Sequence, residues 1–349
     1  MLSFESDYIL GAHEQVLAAL VRTNGEALSG YGNDPHTENA KSLIRAYCAC
    51  PEADVYFLTG GTQANKTVIA SMLRDTEGVI AAVTGHISLH EAGAVEYTGH
   101  KVIEIPGFEG KLRTDDVKKY MKGFYADGNN SMMVAPGMIY VSHPTEYGTL
   151  YTRDELAELR RICDEYGMSL FLDGARLAYG LAARNTDVTL EDIACLTDVF
   201  YIGGTKIGAL CGEAVVFTKN NAPRRFNSTV KMHGAMIAKG RLHGVQFEAL
   251  FENGLYFDLG KNAIDRAEEL KSLFSRLGYE FYLDSPTNQQ FIILDKSRME
   301  ALSHRVRFGF WEWLDSERAV VRFAMSFATT KEEIEELGRI LSEFSALDI

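Results

Sequence analysis

Seven short apolar runs, several of them separated by stretches of helical periodicity, restrict this chain to very few architectures. They are VYFLT (55–59), VIAAV (79–83), KVIEI (101–105), MIYVS (138–142), SLFLD (169–173), VFYIG (199–203) and EAVVFT (213–218). The runs are continuous rather than alternating, which is the pattern of strands buried on both faces. Continuous strands alternating with helices imply a mostly parallel sheet with helices on either side. The segment TRDELAELRRICDEYG (152–167) shows how one such helix is encoded. Leu156, Leu159 and Cys163 recur at spacings of three and four, Thr152 is an N-cap, Glu155 completes a capping box, and Gly167 is placed to end the helix.

The pattern changes near residue 240. A long helical segment over roughly 241–278 leads to FIILD (291–295), ERAVVRFAMSF (317–327) and an amphipathic helix, KEEIEELGRILSEF (331–344). The expected fold is therefore α/β. A large domain over 1–250 holds a mostly parallel seven-stranded sheet, and its N-terminal segment contributes to the site; a smaller α+β domain covers 251–349.

Charge and composition exclude several functions. A net charge of −13 argues against nucleic acid as a partner and requires local cations around any anionic ligand. No apolar run is long enough to span a membrane, and MLSFESDYILGAHEQ lacks the basic and apolar regions of a secretory signal. Five cysteines without a CxxC pair read as reduced thiols of a cytoplasmic protein. His86 and His90 stand four apart with no third ligand in view, so no metal is expected.

Three strand ends carry the chemistry. In LTGGTQANKTVIASML (58–73) a strand runs through two glycines into a helix beginning near Thr62. Free amides and the positive end of the helix dipole suit a phosphate there. In VFYIGGTKIGALCG (199–212) Lys206 is surrounded by small residues. Desolvation lowers the pKa of such a lysine and makes it a nucleophile toward carbonyls. In LFLDGARLAYG (170–180) a hydrophobic strand delivers Asp173 and, three residues on, Arg176. Ligands of open α/β sheets bind beyond the carboxyl ends of the strands, where Asp173 and Lys206 both fall. A pyridoxal phosphate site needs such a pair: a lysine for the Schiff base and an acid for the pyridine nitrogen. Arg176 then suits the ring 3′-oxygen or a substrate carboxylate. The competing reading is an internal Asp173–Arg176 ion pair.

The segments YGNDPHTENAKSL (31–43), TGGTQANKTV (59–68), GHISLHEAGA (85–94), LDGARL (172–177) and GGTKIGA (203–209) together resemble the threonine aldolases of the β-eliminating lyase group. These are pyridoxal phosphate enzymes of the aspartate aminotransferase fold. The resemblance implies that Lys206 forms the Schiff base, that Asp173 faces the pyridine nitrogen, and that Gly61 and Thr62 hold the phosphate. It implies that His86 stacks on the ring near the substrate hydroxyl. Arg176 would bond the 3′-oxygen and the substrate carboxylate, Arg322 would clamp that carboxylate, and Ser6 would assist. Tyr31 matches a tyrosine near the site, and Lys231 a lysine reaching the phosphate region at a subunit boundary. Tyr8 stands where the group has threonine, a second histidine of some members falls near Asn130, and an arginine downstream of Lys231 has no counterpart. His143, after a strand end, is a further candidate.

The implied reaction is cleavage of L-threonine, L-allo-threonine or a related β-hydroxy-α-amino acid to glycine and an aldehyde. His86, or a water it orients, would take the hydroxyl proton. The alternative is β-elimination, releasing ammonia and a 2-oxo acid. A homodimer or homotetramer with sites at subunit interfaces is also implied.

Overall fold

The computed structural model describes residues 1–346. Its strands are β1 (Leu2–Phe4), β2 (Asp54–Leu58), β3 (Glu77–Ala82), β4 (Val102–Ile105), the short hairpin β5 (Gly107–Phe108) and β6 (Lys111–Leu112), β7 (Ala135–Ser142), β8 (Ser169–Asp173), β9 (Val199–Gly203), β10 (Glu213–Phe217), β11 (Gln289–Asp295), β12 (Val306–Trp313) and β13 (Arg318–Ala324). The seven apolar runs form one sheet in the order β2-β10-β9-β8-β7-β3-β4. β10 alone runs antiparallel to the other six strands.

The continuity of the apolar runs follows from this arrangement. Ile80, Ile139, Leu170 and Val216 face one core, while Val79, Met138, Phe171 and Val215 face a second on the opposite side. Successive side chains of a strand alternate between faces, so both faces need apolar residues. The helix Arg153–Tyr166 has the anticipated ends: a Thr152–Glu155 capping box and Gly167 in the left-handed region at φ 68°.

Three features differ from the sequence expectation. The segment 241–278 is two helices, Arg241–Phe251 and Leu255–Arg276, divided at Gly254, whose φ of 74° no continuous helix accommodates. Strand β12 was not anticipated. Its side chains are mostly exposed or half-buried, so it carries a weaker apolar signal than the central strands. Strand β1 pairs in parallel with β12, giving the second sheet the order β1-β12-β13-β11. The first residues of the chain thus join the C-terminal unit in space.

Parallel strands point their carboxyl ends the same way, so the loops after β2, β3, β7, β8 and β9 gather at one edge of the large sheet. The reversed β10 brings its first residue to that edge, where Glu213 is in register with both Leu58 and Gly203.

Candidate active site

At that edge lies a cavity of about 320 Å³ lined by Gly60, Gly61, Thr62, His86, Asp173, Arg176, Lys206 and Glu213. Asp173 ends β8 and is only 3% exposed. Four donors converge on its carboxylate: Tyr140 Oη and Tyr201 Oη at 2.5 Å, the Ala175 amide at 2.9 Å and Asn65 Nδ2 at 3.0 Å. Burial alone would raise its pKa, but the nearby His86 imidazole and these hydrogen bonds outweigh it and hold the group below the usual carboxylate range.

Lys206 follows β9 in a single helical turn, Thr205–Ile207. Its carbonyl accepts a bond from Tyr179 Oη at 2.5 Å. Burial, reinforced by the Arg176 charge, lowers its pKa to about 8, against the opposing pull of Asp7, Asp173 and Glu213. Burial also pushes Glu213 up to about 8; its carboxylate accepts from Thr205 Oγ1 at 2.8 Å and the Gly204 amide at 3.2 Å.

The helix Gly61–Met72 opens on Gly60, so no side chain caps its first amides. A Cβ on Gly61 would stand 3.0 Å from Tyr201 Oη, which explains a glycine there. His86 Nδ1 lies 2.8 Å from Glu91 Oε1, and the His86 amide donates to Glu146 Oε1 at 2.9 Å. Burial lowers the His86 pKa, but Glu91 and Asp173 more than compensate, and the net shift is upward. Asn65 Nδ2 also reaches Glu91 Oε1, at 2.7 Å, tying the partner of His86 to Asp173.

Arg176 does not pair with Asp173. Its Nε and Nη2 grip Asp7 at 2.7 and 2.9 Å, and Asn288 Nδ2 donates to the same acid at 2.9 Å. Burial would raise Asp7, but the Arg176 and Lys206 charges and these bonds bring it down to about 2.

A second cavity of about 530 Å³ shares Tyr8, His86, Glu146, Arg176 and Lys206 with the first and reaches the small sheet at Phe310, Trp311 and Arg322. Arg322 donates to Gln289 Oε1 at 3.0 Å and to the Glu5 carbonyl at 3.1 Å, while its buried Nε has no partner among the described residues. The buried Ser6 hydroxyl is likewise unpartnered. The guanidinium lies 5.6 Å from the centre of the Trp311 ring.

The chain as a whole is similar to known proteins. A sequence profile described as "Beta-eliminating lyase" matches residues 4–297. The chain belongs to the β-eliminating lyase family. A threonine aldolase from Leishmania major superposes with a TM-score of 0.95 at 39% identity, over 99% of this chain and 100% of that one. A low specificity L-threonine aldolase from a Pseudomonas species is 27% identical over 338 residues, 96% of this chain and 95% of that protein. An aspartate aminotransferase from Thermus thermophilus shares the fold, with a TM-score of 0.71 at 15% identity over 99% of this chain and 91% of that one. As a β-eliminating lyase of this fold, the chain is a pyridoxal-phosphate-dependent enzyme.

Among the residues anticipated from the sequence of this lyase, Gly61, Thr62, His86, Asp173, Arg176 and Lys206 meet around one cavity, and Arg322 joins them through the second. Ser6 lies beside Asp7, the partner of Arg176. Tyr31 and Lys231 do not line either cavity; they meet each other elsewhere, with Lys231 Nζ 4.9 Å from the centre of the Tyr31 ring. His143 is fully buried, burial lowers its pKa to about 4, and its Nδ1 accepts the Tyr151 amide at 3.3 Å.

Sequence reasoning missed Asp7, Asn65, Glu91, Tyr140, Tyr201 and Glu213. The two tyrosines left a readable signal: a phenol inside an otherwise apolar buried strand needs a hydrogen-bond partner. Among the described residues no group of three or more His, Cys, Asp or Glu side chains is placed to hold a metal ion, and no helix is long and apolar enough to cross a membrane.

Proposed function

We propose that this lyase cleaves L-threonine, L-allo-threonine or a related β-hydroxy-α-amino acid between Cα and Cβ, yielding glycine and an aldehyde. The observation that carries the reading is the cavity in which a lysine of lowered pKa and a buried, ionised aspartate stand together, beside a second cavity that Arg176 and Arg322 both line. The threonine aldolases of Leishmania and Pseudomonas support the choice of substrate.

The residues fit pyridoxal phosphate. The uncapped first turn at Gly61 and Thr62 offers amides to a phosphate, and a Cβ on Gly61 would press on the Tyr201 hydroxyl that bonds Asp173. When bound, the cofactor supplies an electron sink for the pair released by the breaking bond. Asp173, kept negatively charged by its four donors, would pair with the ring nitrogen. Lys206, with its proton loosely held, would be the nucleophile that anchors the cofactor. Arg176 and Arg322 hold the substrate carboxylate from two sides, with Ser6 assisting, and so orient the Cα–Cβ bond for cleavage. His86, which lines the same cavity, would cover the ring.

Tyr31 and Lys231 serve a neighbouring protomer in this reading, which makes the enzyme a symmetric dimer or a tetramer built from such dimers. The five free cysteines accord with a cytoplasmic protein.

Product analysis tests the function. The cofactor-loaded protein is incubated with L-threonine and with L-allo-threonine. Equal amounts of acetaldehyde and glycine are expected; ammonia and 2-oxobutanoate would overturn the aldolase reading in favour of β-elimination.

A further inference from the structure

The cleavage proposed above needs a group to take the proton from the substrate β-hydroxyl. His86 is the obvious candidate by position, but its Nδ1 is committed to Glu91 and its surroundings favour the imidazolium. A ring whose proton is favoured by an adjacent acid is the poorer acceptor. The second cavity holds another imidazole. His90 ends the short helix His86–Leu89, its ring centre is 5.7 Å from that of His86, and it shares the cavity with Arg322. The His90 ring makes no hydrogen bond to any described residue, and it is open to solvent at the cavity mouth.

We propose that His90 is the catalytic base that accepts the β-hydroxyl proton. The inference rests on the aldolase reading. A carboxylate held by Arg322 and Arg176 brings the rest of the amino acid into the cavity that His90 lines. His90 Nδ1 or Nε2 takes the hydroxyl proton, and the O–H electron pair becomes the carbonyl π bond of the departing aldehyde. The Cα–Cβ pair stays with the Cα fragment, and a proton then quenches it to give glycine. Exposed at the mouth, His90 returns its own proton to water, so one C–C bond is lost and one C–H and one C=O bond are gained.

Charge around His90 supports a neutral imidazole at physiological pH. The ionisable groups facing that cavity are His86 on its own helix, Lys206 and Arg176 at the sheet edge, Glu146 and Tyr147 after β7, Glu312 and Arg322 of the small sheet, and Tyr8 of the N-terminal segment. Partial burial, with the His86 and Arg322 charges, lowers the His90 pKa below its ordinary 6.5. The two histidines are thus separated in role. Two acids push the His86 pKa up, whereas burial and two cations push that of His90 down.

The test compares two reactions of the cofactor-loaded enzyme: cleavage of L-threonine, and exchange of a glycine α-proton for deuterium, which needs the same lysine and aspartate but no hydroxyl base. In His90→Asn, cleavage is expected to fall on the order of 10²–10³-fold while exchange stays within about threefold. The acid limb of the wild-type cleavage profile should lie below pH 6.5 and vanish in the variant, with the same result in His90→Gln. Cleavage within threefold of wild type, or an equal fall in both reactions, would overturn the assignment. Release of ammonia and 2-oxobutanoate by the wild type would instead strike the aldolase reading first, and His90 as its base with it.

Discussion

Asp173 and Arg322 approach the same cleft from opposite sheets, and they are buried on different terms. Asp173 receives four hydrogen bonds from its own chain, two of them from tyrosines inside neighbouring strands. Arg322 makes two and keeps a buried Nε unpartnered among the described residues, and the buried Ser6 hydroxyl is in the same condition. Leaving a buried polar atom unpaired costs about 1–3 kcal/mol. The large-sheet wall has its charge organised by the protein alone, whereas the small-sheet wall retains bonding capacity for a ligand. A group that must keep one protonation state is better held by fixed dipoles, while one that must grip a substrate needs free donors.

Asp173→Asn is the strongest way to break this contrast. The amide puts an NH₂ group where four donors point inward, and removes the charge as well. Cleavage at saturating cofactor should fall on the order of 10²–10³-fold, and the melting temperature should fall too. An unchanged rate would show that the four-donor arrangement serves packing alone.

Arg322→Lys sharpens the other half. Lysine keeps the charge but lacks the planar fork. The KM for threonine should rise about 10–100-fold, the equivalent of a charged hydrogen bond lost, with the melting temperature little changed. A large loss of stability with an unaltered KM would make Arg322 a structural residue like Asp173's tyrosines.

Asp7→Asn probes the junction between the walls, where the N-terminal segment meets Arg176. The Asp7 pKa is depressed to about 2, so its contribution to stability is fully present above its unfolded value near 4 and is lost as pH falls from there through 2. The variant should be less stable at pH 7 by about 2 kcal/mol in denaturant unfolding. The gap to wild type should close below about pH 4. A gap that persisted at pH 2 would place the effect outside the Asp7–Arg176 pair.

Legibility divides along similar lines. Asp173, Lys206 and the Gly61–Thr62 turn could be read because each lies within a few residues of a strand end, and strand ends announce themselves by apolar runs stopping at glycine or charge. Asp7 could not be paired with Arg176 in this way, because 169 residues separate them and nothing local in ESDY specifies a partner. Glu213 looked like the first residue of an ordinary strand; only the reversed direction of β10 brings it to Lys206. His90 read as a bystander because neither its spacing nor its neighbours in sequence reveal that Arg322, from another sheet, shares its cavity.

The sequence by itself determined the layered α/β architecture, the strand ends and the residue types that suit a pyridoxal phosphate site, because apolar periodicity, caps and glycine turns act over a few residues. The tertiary structure alone decided which acid neutralises Arg176, which phenols secure Asp173, and that the pKa values of His86 and His90 shift in opposite directions. Those outcomes depend on burial and on charges brought together across long chain separations, and electrostatic energies are set by distance in space, not by position along the chain.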